Sequence, residues 1–482
     1  MNYALIQKTI GMMTLVFATI LIIPMSVSHF YNDGNISAFI YSFIIIFLFG
    51  SLLFFPHRLS SFESNMKIKE GFLIVVLFWV LLSFFGSFPF IFDINLSMSF
   101  ADAFFESVSG WTTTGATIII NLDELSSSIL IYRQLLQWLG GMGIVVLALA
   151  VLPMLGVGGM QLYKVESGGP IKDNKISPRI AETAQNLWKV YLGLTALCAG
   201  AYNLAGMSIF DAIAHSFSTI AIGGFSTHSQ SIAYFNSIEI EIVCMFFMFL
   251  SALNFILHFH SLKSRSLKIY FKDVEFRLYL LLIVVSSILL IAYSSFVHSN
   301  QISIMGILFQ VISFITTSGF ISMSYENWPT SIVSILIFLS FLGACAGSTG
   351  GGIKIIRVLF ILKELKRGLI KIIHPSAEVP IKINSQVINE SISNNILLFF
   401  IFYLISYIFL SLILLLMGLD AKTAFSSIAA CLNNLGPGAG SVIENYSSIS
   451  TASKYILSFT MLLGRLEIYT LLIIMTPYFW KY

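Results

Sequence analysis

Charge is what this sequence has least of. Only 10% of its 482 residues are Asp, Glu, Lys or Arg, while 57% are hydrophobic. Soluble globular chains carry about a quarter charged residues, so a water-soluble fold of this length is excluded. Cysteine is scarce as well: Cys198, Cys244, Cys345 and Cys431 stand far apart in apolar segments. They form no CxxC pair and no zinc spacing, which leaves them as small core residues. No Asp, His or Ser cluster gathers at one depth, which argues against a membrane-embedded enzyme. His258 and His260 lie on different faces of a span end, which argues against a metal site. The net charge of +3 is small, and the bases are spread over loops, which argues against a nucleic-acid partner. The first apolar run has no small-residue cleavage site, so it reads as a retained span rather than a signal peptide.

What is present in quantity is apolar sequence, in runs near the roughly 20 residues that cross a bilayer. These runs are 9–29, 37–55, 71–92, 131–155, 187–206, 238–259, 278–297, 330–346, 395–418 and 455–476. The reading is an all-α polytopic membrane protein of ten transmembrane helices. Between some of them lie shorter apolar segments at 99–112, 209–221, 303–315 and 423–432. Ser99 and Asp102 open the first of these as a helix N-terminus would.

Each short segment runs into a glycine turn: Thr113-Thr114-Gly115, Ile222-Gly223-Gly224, Thr317-Ser318-Gly319 and Asn434-Leu435-Gly436. With the last glycine of each in register, Ser109, Ser218, Ser313 and Ala430 stand six residues earlier, and Ala103, Ala212, Ile307 and Ala424 twelve earlier. This is one unit in four copies. Residues 1–70 then hold two leading helices, and 71–180, 181–272, 273–385 and 386–482 the four units. If the crossings alternate, all but four of the 26 lysines and arginines fall on one side, the exceptions being Arg133, Lys422, Lys454 and Arg465. The positive-inside rule makes that side cytoplasmic, with both termini on it. The copies are therefore parallel, related by an axis along the membrane normal, and not inverted.

Four such turns around one axis suit a cation pathway. Backbone carbonyls replace an ion's hydration shell without a net charge that would trap it. Glycine permits the backbone angles this needs, and the short helices aim partly negative C-termini at the axis.

Two further features belong to this reading. The run Gly347-Ser348-Thr349-Gly350-Gly351-Gly352 breaks a span about 15 residues in, roughly 20 Å deep at 1.5 Å per residue. It nearly matches a phosphate loop, but Ile353 separates Gly352 from Lys354 and no strand precedes it. Arg465 lies in the middle of the last span, where a charge marks an ion path or a paired site. Facing the pathway, it would set a barrier and hold the glycine run through its carbonyls.

The motifs Gly110-Trp111-Thr112-Thr113-Thr114-Gly115-Ala116, Trp138-Leu139-Gly140-Gly141-Met142-Gly143, Gly347–Lys354 and Asn433-Asn434-Leu435-Gly436-Pro437-Gly438 resemble the Trk/Ktr/HKT superfamily, and above all its bacterial Trk-type membrane subunit. The resemblance spans nearly the whole chain. It implies four membrane–pore–membrane units around one pathway, a homodimer, and potassium uptake across the bacterial inner membrane. Potassium would bind at the four turns, with Gly115, Gly224, Gly319 and Gly436 as filter glycines. It also implies an intramembrane gate loop at Gly347–Gly352. Control would come from a separate cytosolic nucleotide-binding subunit, because this chain's own loops carry no nucleotide fold or organic cofactor site. Some relatives with Ser at the first glycine admit sodium; Gly115 favours potassium. The second turn departs from the threonine-rich pattern at Ile222 and Gly223. A potassium symporter coupled to proton or sodium is the alternative, with Glu106 and Arg465 as its titratable candidates.

Overall fold

A computed structural model describes residues 1–57, 68–146, 178–297, 302–384 and 386–481. The loop bases Arg58, Lys67, Lys164, Lys172 and Lys175, and the end of the 131–155 run, lie outside the described residues.

The chain opens with α1 (Tyr3–Ile20), α2 (Ile22–Tyr31) and α3 (Ile36–Phe54). Glycine lets α1 and α3 pack backbone to backbone. A Cβ on Gly11 would meet the Gly50 carbonyl at 2.9 Å, and one on Gly50 would meet the Gly11 carbonyl at 3.2 Å. This small-residue contact is how helices associate where lipid supplies no hydrophobic drive.

Next come α4 (Ile68–Gly86), α5 (Phe88–Phe92), the short α6 (Phe100–Trp111) and α7 (Ser127–Val146). They are followed by α8 (Pro178–Leu204), the short α9 (Ile209–Ala221), α10 (Ile238–Ser251), α11 (Phe255–Ser264) and α12 (Lys268–Lys272). Then come α13 (Val274–Val297), the short α14 (Ile304–Thr316), α15 (Thr330–Leu342) and α16 (Ile355–Ile373). The chain ends with α17 (Glu390–Leu416), the short α18 (Ala421–Leu432), α19 (Thr451–Arg465), α20 (Tyr469–Met475) and α21 (Pro477–Lys481). A two-residue hairpin pairs Lys382 with Val387 and Ile383 with Gln386.

The solvent this fold expects is lipid. Leu204, Phe296 and Leu416 stand 90%, 92% and 88% exposed, too much apolar surface for water. Among the described residues, five helices are long and apolar enough to cross a membrane, or seven if each bent pair is one span. Of the other expected spans, 131–155 runs beyond the described residues. The 330–346 run falls short because α15 stops after 13 residues.

Two expected straight spans are broken. The 238–259 run bends by 95° after Ser251, and the 455–476 run by 115° after Arg465. At the first break the freed backbone groups find partners elsewhere. The Ala252 carbonyl accepts from Cys345 N–H at 3.0 Å, and Phe255 N–H donates to the Gly347 carbonyl at 3.1 Å. Asn254 then caps the new helix by accepting from Ile256 N–H at 2.9 Å. At the second break Glu467 and Ile468 both take positive φ. Arg465 is thus the last residue of a helix and not the middle of one.

Candidate functional site

The four short helices start and stop by the same chemistry. Each N-terminus is capped by a side-chain oxygen: Ser99 accepts from Asp102 N–H, Ser208 from Asp211 N–H, Ser303 from Gly306 N–H and Asp420 from Thr423 N–H. Such caps contribute about 1 kcal/mol each. Each C-terminus closes with a bond spanning five residues. Thr114 N–H donates to the Ser109 carbonyl at 2.9 Å, Gly223 to Ser218 at 2.9 Å, Ser318 to Ser313 at 2.8 Å and Leu435 to Ala430 at 2.8 Å. This is a Schellman closure, which needs a left-handed residue one position earlier. That residue is Thr113, Ile222, Thr317 or Asn434, with φ of 52°, 55°, 64° and 53°. Four non-glycine residues in this region cost roughly 1–3 kcal/mol each and persist because the closure holds them.

Positive φ returns two residues later, at Gly115 (84°), Gly224 (77°), Gly319 (76°) and Gly436 (96°). Alternation in the sign of φ turns successive carbonyls toward one side. The four turns meet in a closed cycle that follows chain order. A Cβ on Gly115 would strike the Gly223 carbonyl at 2.2 Å, and one on Gly224 the Ser318 carbonyl at 2.1 Å. On Gly319 it would strike the Leu435 carbonyl at 2.0 Å, and on Gly436 the Thr114 carbonyl at 2.5 Å, which completes the cycle. Any side chain at these positions collides with the neighbouring turn. The carbonyls of Thr114, Gly223, Ser318 and Leu435 thus each lie against a glycine of the neighbouring turn. Among the described residues no cluster of His, Cys, Asp or Glu could hold a metal.

The run Gly347–Gly352 packs against the same turns. Gly351 N–H donates to Thr317 Oγ1 at 2.7 Å. Gly352 N–H donates to the Asn433 carbonyl at 3.1 Å, and Thr349 Oγ1 to the Ile220 carbonyl at 3.0 Å. A Cβ on Gly351 would lie 2.0 Å from the Asn433 carbonyl, which is why the run must be glycine there. Arg465 donates to the Thr349 carbonyl at 3.0 Å and to the Gly140 carbonyl at 3.3 Å. Ser348 Oγ donates to the Cys345 carbonyl at 2.6 Å, and Lys354 Nζ donates to the Gly350 carbonyl.

A family model for TrkH, described as a cation transport protein, matches residues 35–482. This chain belongs to the TrkH family. The chain is similar to the Trk system potassium uptake protein TrkH of Escherichia coli strain K12, at 46% identity with all of both chains covered. It is 37% identical to TrkG of the same organism, over 98% of this chain and 97% of the relative. Its fold matches the crystal structure of the potassium transporter TrkH from Vibrio parahaemolyticus. The TM-score is 0.91 and the identity 43%, and all of both chains are covered. The family is one of transporters, not of enzymes.

Several interactions that matter here escaped sequence reasoning, because their partners are distant in the chain. Gln137 of α7 donates to the Gly223 carbonyl at 2.6 Å and accepts from Phe225 N–H at 3.1 Å. It braces the turn that departs from the threonine-rich pattern. Glu106 is wholly buried. It pairs with Arg133 at 2.8 Å and accepts from Ile118 N–H at 2.9 Å. Arg133 Nη1 reaches the Ser226 carbonyl at 3.1 Å, joining α7 to the loop after the second turn. Glu275, buried at the start of α13, accepts from Ala346 N–H at 2.8 Å and Ile356 N–H at 3.0 Å, on either side of the glycine run. Glu106 stands out in the sequence as a titratable group in an apolar segment, but its pairing with Arg133 does not, and Glu275 gives only the signal of a carboxylate at the start of an apolar span.

Proposed function

We propose that this chain carries potassium into the cell across the bacterial inner membrane by passive, selective passage through the cycle of four turns. The closed cycle is the observation that carries the reading: four equivalent backbone closures, each glycine set against the next turn's carbonyl. Peptide oxygens of Thr113, Thr114, Gly115, Ile222, Gly223, Gly224, Thr317, Ser318, Gly319, Asn434, Leu435 and Gly436 take over the ion's hydration. The relatives named as potassium uptake proteins support potassium as the ion. Inward movement is driven by the membrane potential, at about 2.3 kcal/mol per charge per 100 mV.

In this reading four parallel units and two leading helices make ten crossings, with both termini in the cytoplasm. The run Gly347–Gly352 is the gate and Arg465 its latch. The protein works as a homodimer under a cytosolic nucleotide-binding subunit.

A symporter coupled to proton or sodium would need a titratable group free in the pathway. Glu106 is instead spent on Arg133, Thr117 and a backbone N–H. Arg465 is spent on carbonyls. Reversal potentials in liposomes test the reading. A pore follows the potassium gradient alone, and a reversal potential that moves with proton or sodium gradients at fixed potassium overturns it.

A further inference from the structure

We infer that the basic groove between α11, α12, the start of α13 and the 382–387 hairpin binds the phosphate-bearing headgroup of an anionic phospholipid. The groove has a volume of about 920 Å³ and is lined by His260, Lys263, Lys272, Arg277, Lys363 and Lys382. Its one carboxylate, Asp273, offsets only one of these charges and is turned to neutral donors. Asp273 Oδ1 accepts from Phe276 N–H at 2.7 Å, and Oδ2 accepts from Asn384 Nδ2 at 3.0 Å. Among the described residues none of these lysines, nor Arg277, forms a salt bridge. Several like charges facing one cavity focus a positive potential that selects an anion.

The surroundings point to lipid. Leu262, Leu267 and Phe271, beside Lys263, Lys268 and Lys272 in the chain, are 68%, 71% and 61% exposed. Apolar side chains in the acyl layer next to cations at headgroup level are the pattern of an anionic-lipid site. The lysine-rich face is also the one the positive-inside rule assigns to the cytoplasm.

The groove has a short route to the glycine run. Asp273 and Arg277 flank Glu275, which holds both ends of the run through Ala346 and Ile356 N–H. A headgroup on Arg277 and Lys272 stiffens the first turn of α13, and through Glu275 favours the closed run. This coupling rests on the gate proposed above, while the binding does not.

The test uses the purified full-length protein and phosphatidylglycerol, with retention read by native mass spectrometry. The combined Lys263→Gln, Lys272→Gln, Arg277→Gln variant is expected to lose retention at least about tenfold, since each cation near an anionic surface contributes around 1 kcal/mol. Lys366→Gln with Lys371→Gln, outside the groove, is expected to retain it. If the triple variant does not fold, Arg277→Gln alone is expected to weaken retention severalfold. Equal retention in groove variants and parent overturns the site. Displacement by millimolar inorganic phosphate alone makes it a free-phosphate site and overturns the lipid. So does lipid retention kept while capture of a cytosolic regulatory protein is lost, which makes the groove a protein dock. For the coupling, potassium flux is expected to be lower in phosphatidylglycerol than in phosphatidylcholine liposomes for the parent, and equal for the triple variant. Equal flux in both lipids for the parent overturns the coupling and leaves the binding result standing.

Discussion

Arg465 donates to the Thr349 carbonyl at 3.0 Å although 116 residues separate them. It is 3% exposed, and its guanidinium lies 5.8 Å from the Trp79 ring. Nearby Glu467 is turned away to Arg357 at 2.6 Å. A buried cation that donates to one carbonyl of the glycine run and one of α7 ties the run to that helix, and its charge opposes a second cation close by. Replacing Arg465 by Ala removes a charged hydrogen bond of about 1.5–3 kcal/mol. The expected outcome is a basal potassium leak from liposomes raised roughly tenfold or more, with Arg465→Lys intermediate. Lower protein yield with unchanged leak per molecule would assign Arg465 to stability alone.

Gly319 supplies a sharper test of the four turns. Its φ is 76°, and a Cβ there would lie 2.0 Å from the Leu435 carbonyl and 2.7 Å from Pro437 Cδ. Gly319→Ala must push the third and fourth turns apart, so the carbonyl cycle opens. Potassium permeation should fall steeply and discrimination against sodium should be lost together, measured as competing cation fluxes. Gly206 has φ of 107° with nothing within 4 Å of a Cβ. Gly206→Ala bears strain but no collision with the turns, so selectivity is expected to stay intact. Unchanged selectivity in Gly319→Ala would separate the turns from ion choice.

The short helices and their register could be read from the chain, because both are local. Caps such as Ser99 and the position six residues before each glycine recur at fixed spacing. The structure explains a mismatch in that register. The position is Ser three times and Ala430 once, and at the end of all four short helices only its backbone carbonyl is needed for the closure. What could not be read is what rests on distant partners. Gln137 finds Gly223 across 86 residues. Glu275 reaches two positions more than 70 residues away. The bend at 252–254 is stabilised by Cys345 and Gly347, so the sequence around it still looks like an uninterrupted span.

Gln137 ties the irregular second turn to α7 through Gly223 and Phe225. Leu in its place removes the donor to Gly223 and leaves Phe225 N–H without its acceptor in a buried site, which costs about 1–3 kcal/mol. Gln137→Glu keeps the acceptor for Phe225 but removes the donor. If the bond to Gly223 shapes the ion site, both variants should lower potassium flux, and Gln137→Leu should also lower the melting temperature. Normal flux in Gln137→Glu would show that the Gly223 carbonyl is held well enough by its own closure to Ser218.

His228 links the loop after the second turn to the loop after the first. Its Nδ1 lies 2.6 Å from Asp123 Oδ1, its Nε2 lies 3.5 Å from Asp211 Oδ1, and its ring stacks on Tyr234 at 3.5 Å. Burial pulls the imidazole pKa down, but hydrogen bonds and charge from Asp211 and Asp123 outweigh it, and the net shift is upward. Asp123 is shifted downward, because hydrogen bonds from His228 and Ser229 outweigh its own burial. A raised histidine pKa means the protonated pair stabilises fully below the unfolded value of about 6.5, and the gain is lost as pH rises through the folded value. The carboxylate's contribution acts in the opposite sense, and disappears only in acid, below the usual Asp range. The contact between the two loops should therefore weaken from neutral toward alkaline pH. Asp123 is about half exposed, so screening limits the effect to about 1 kcal/mol or less. Amide exchange in residues 226–235 should speed up severalfold over that range, and His228→Gln should flatten the profile. The same slope in His228→Gln would assign the pH dependence to another group.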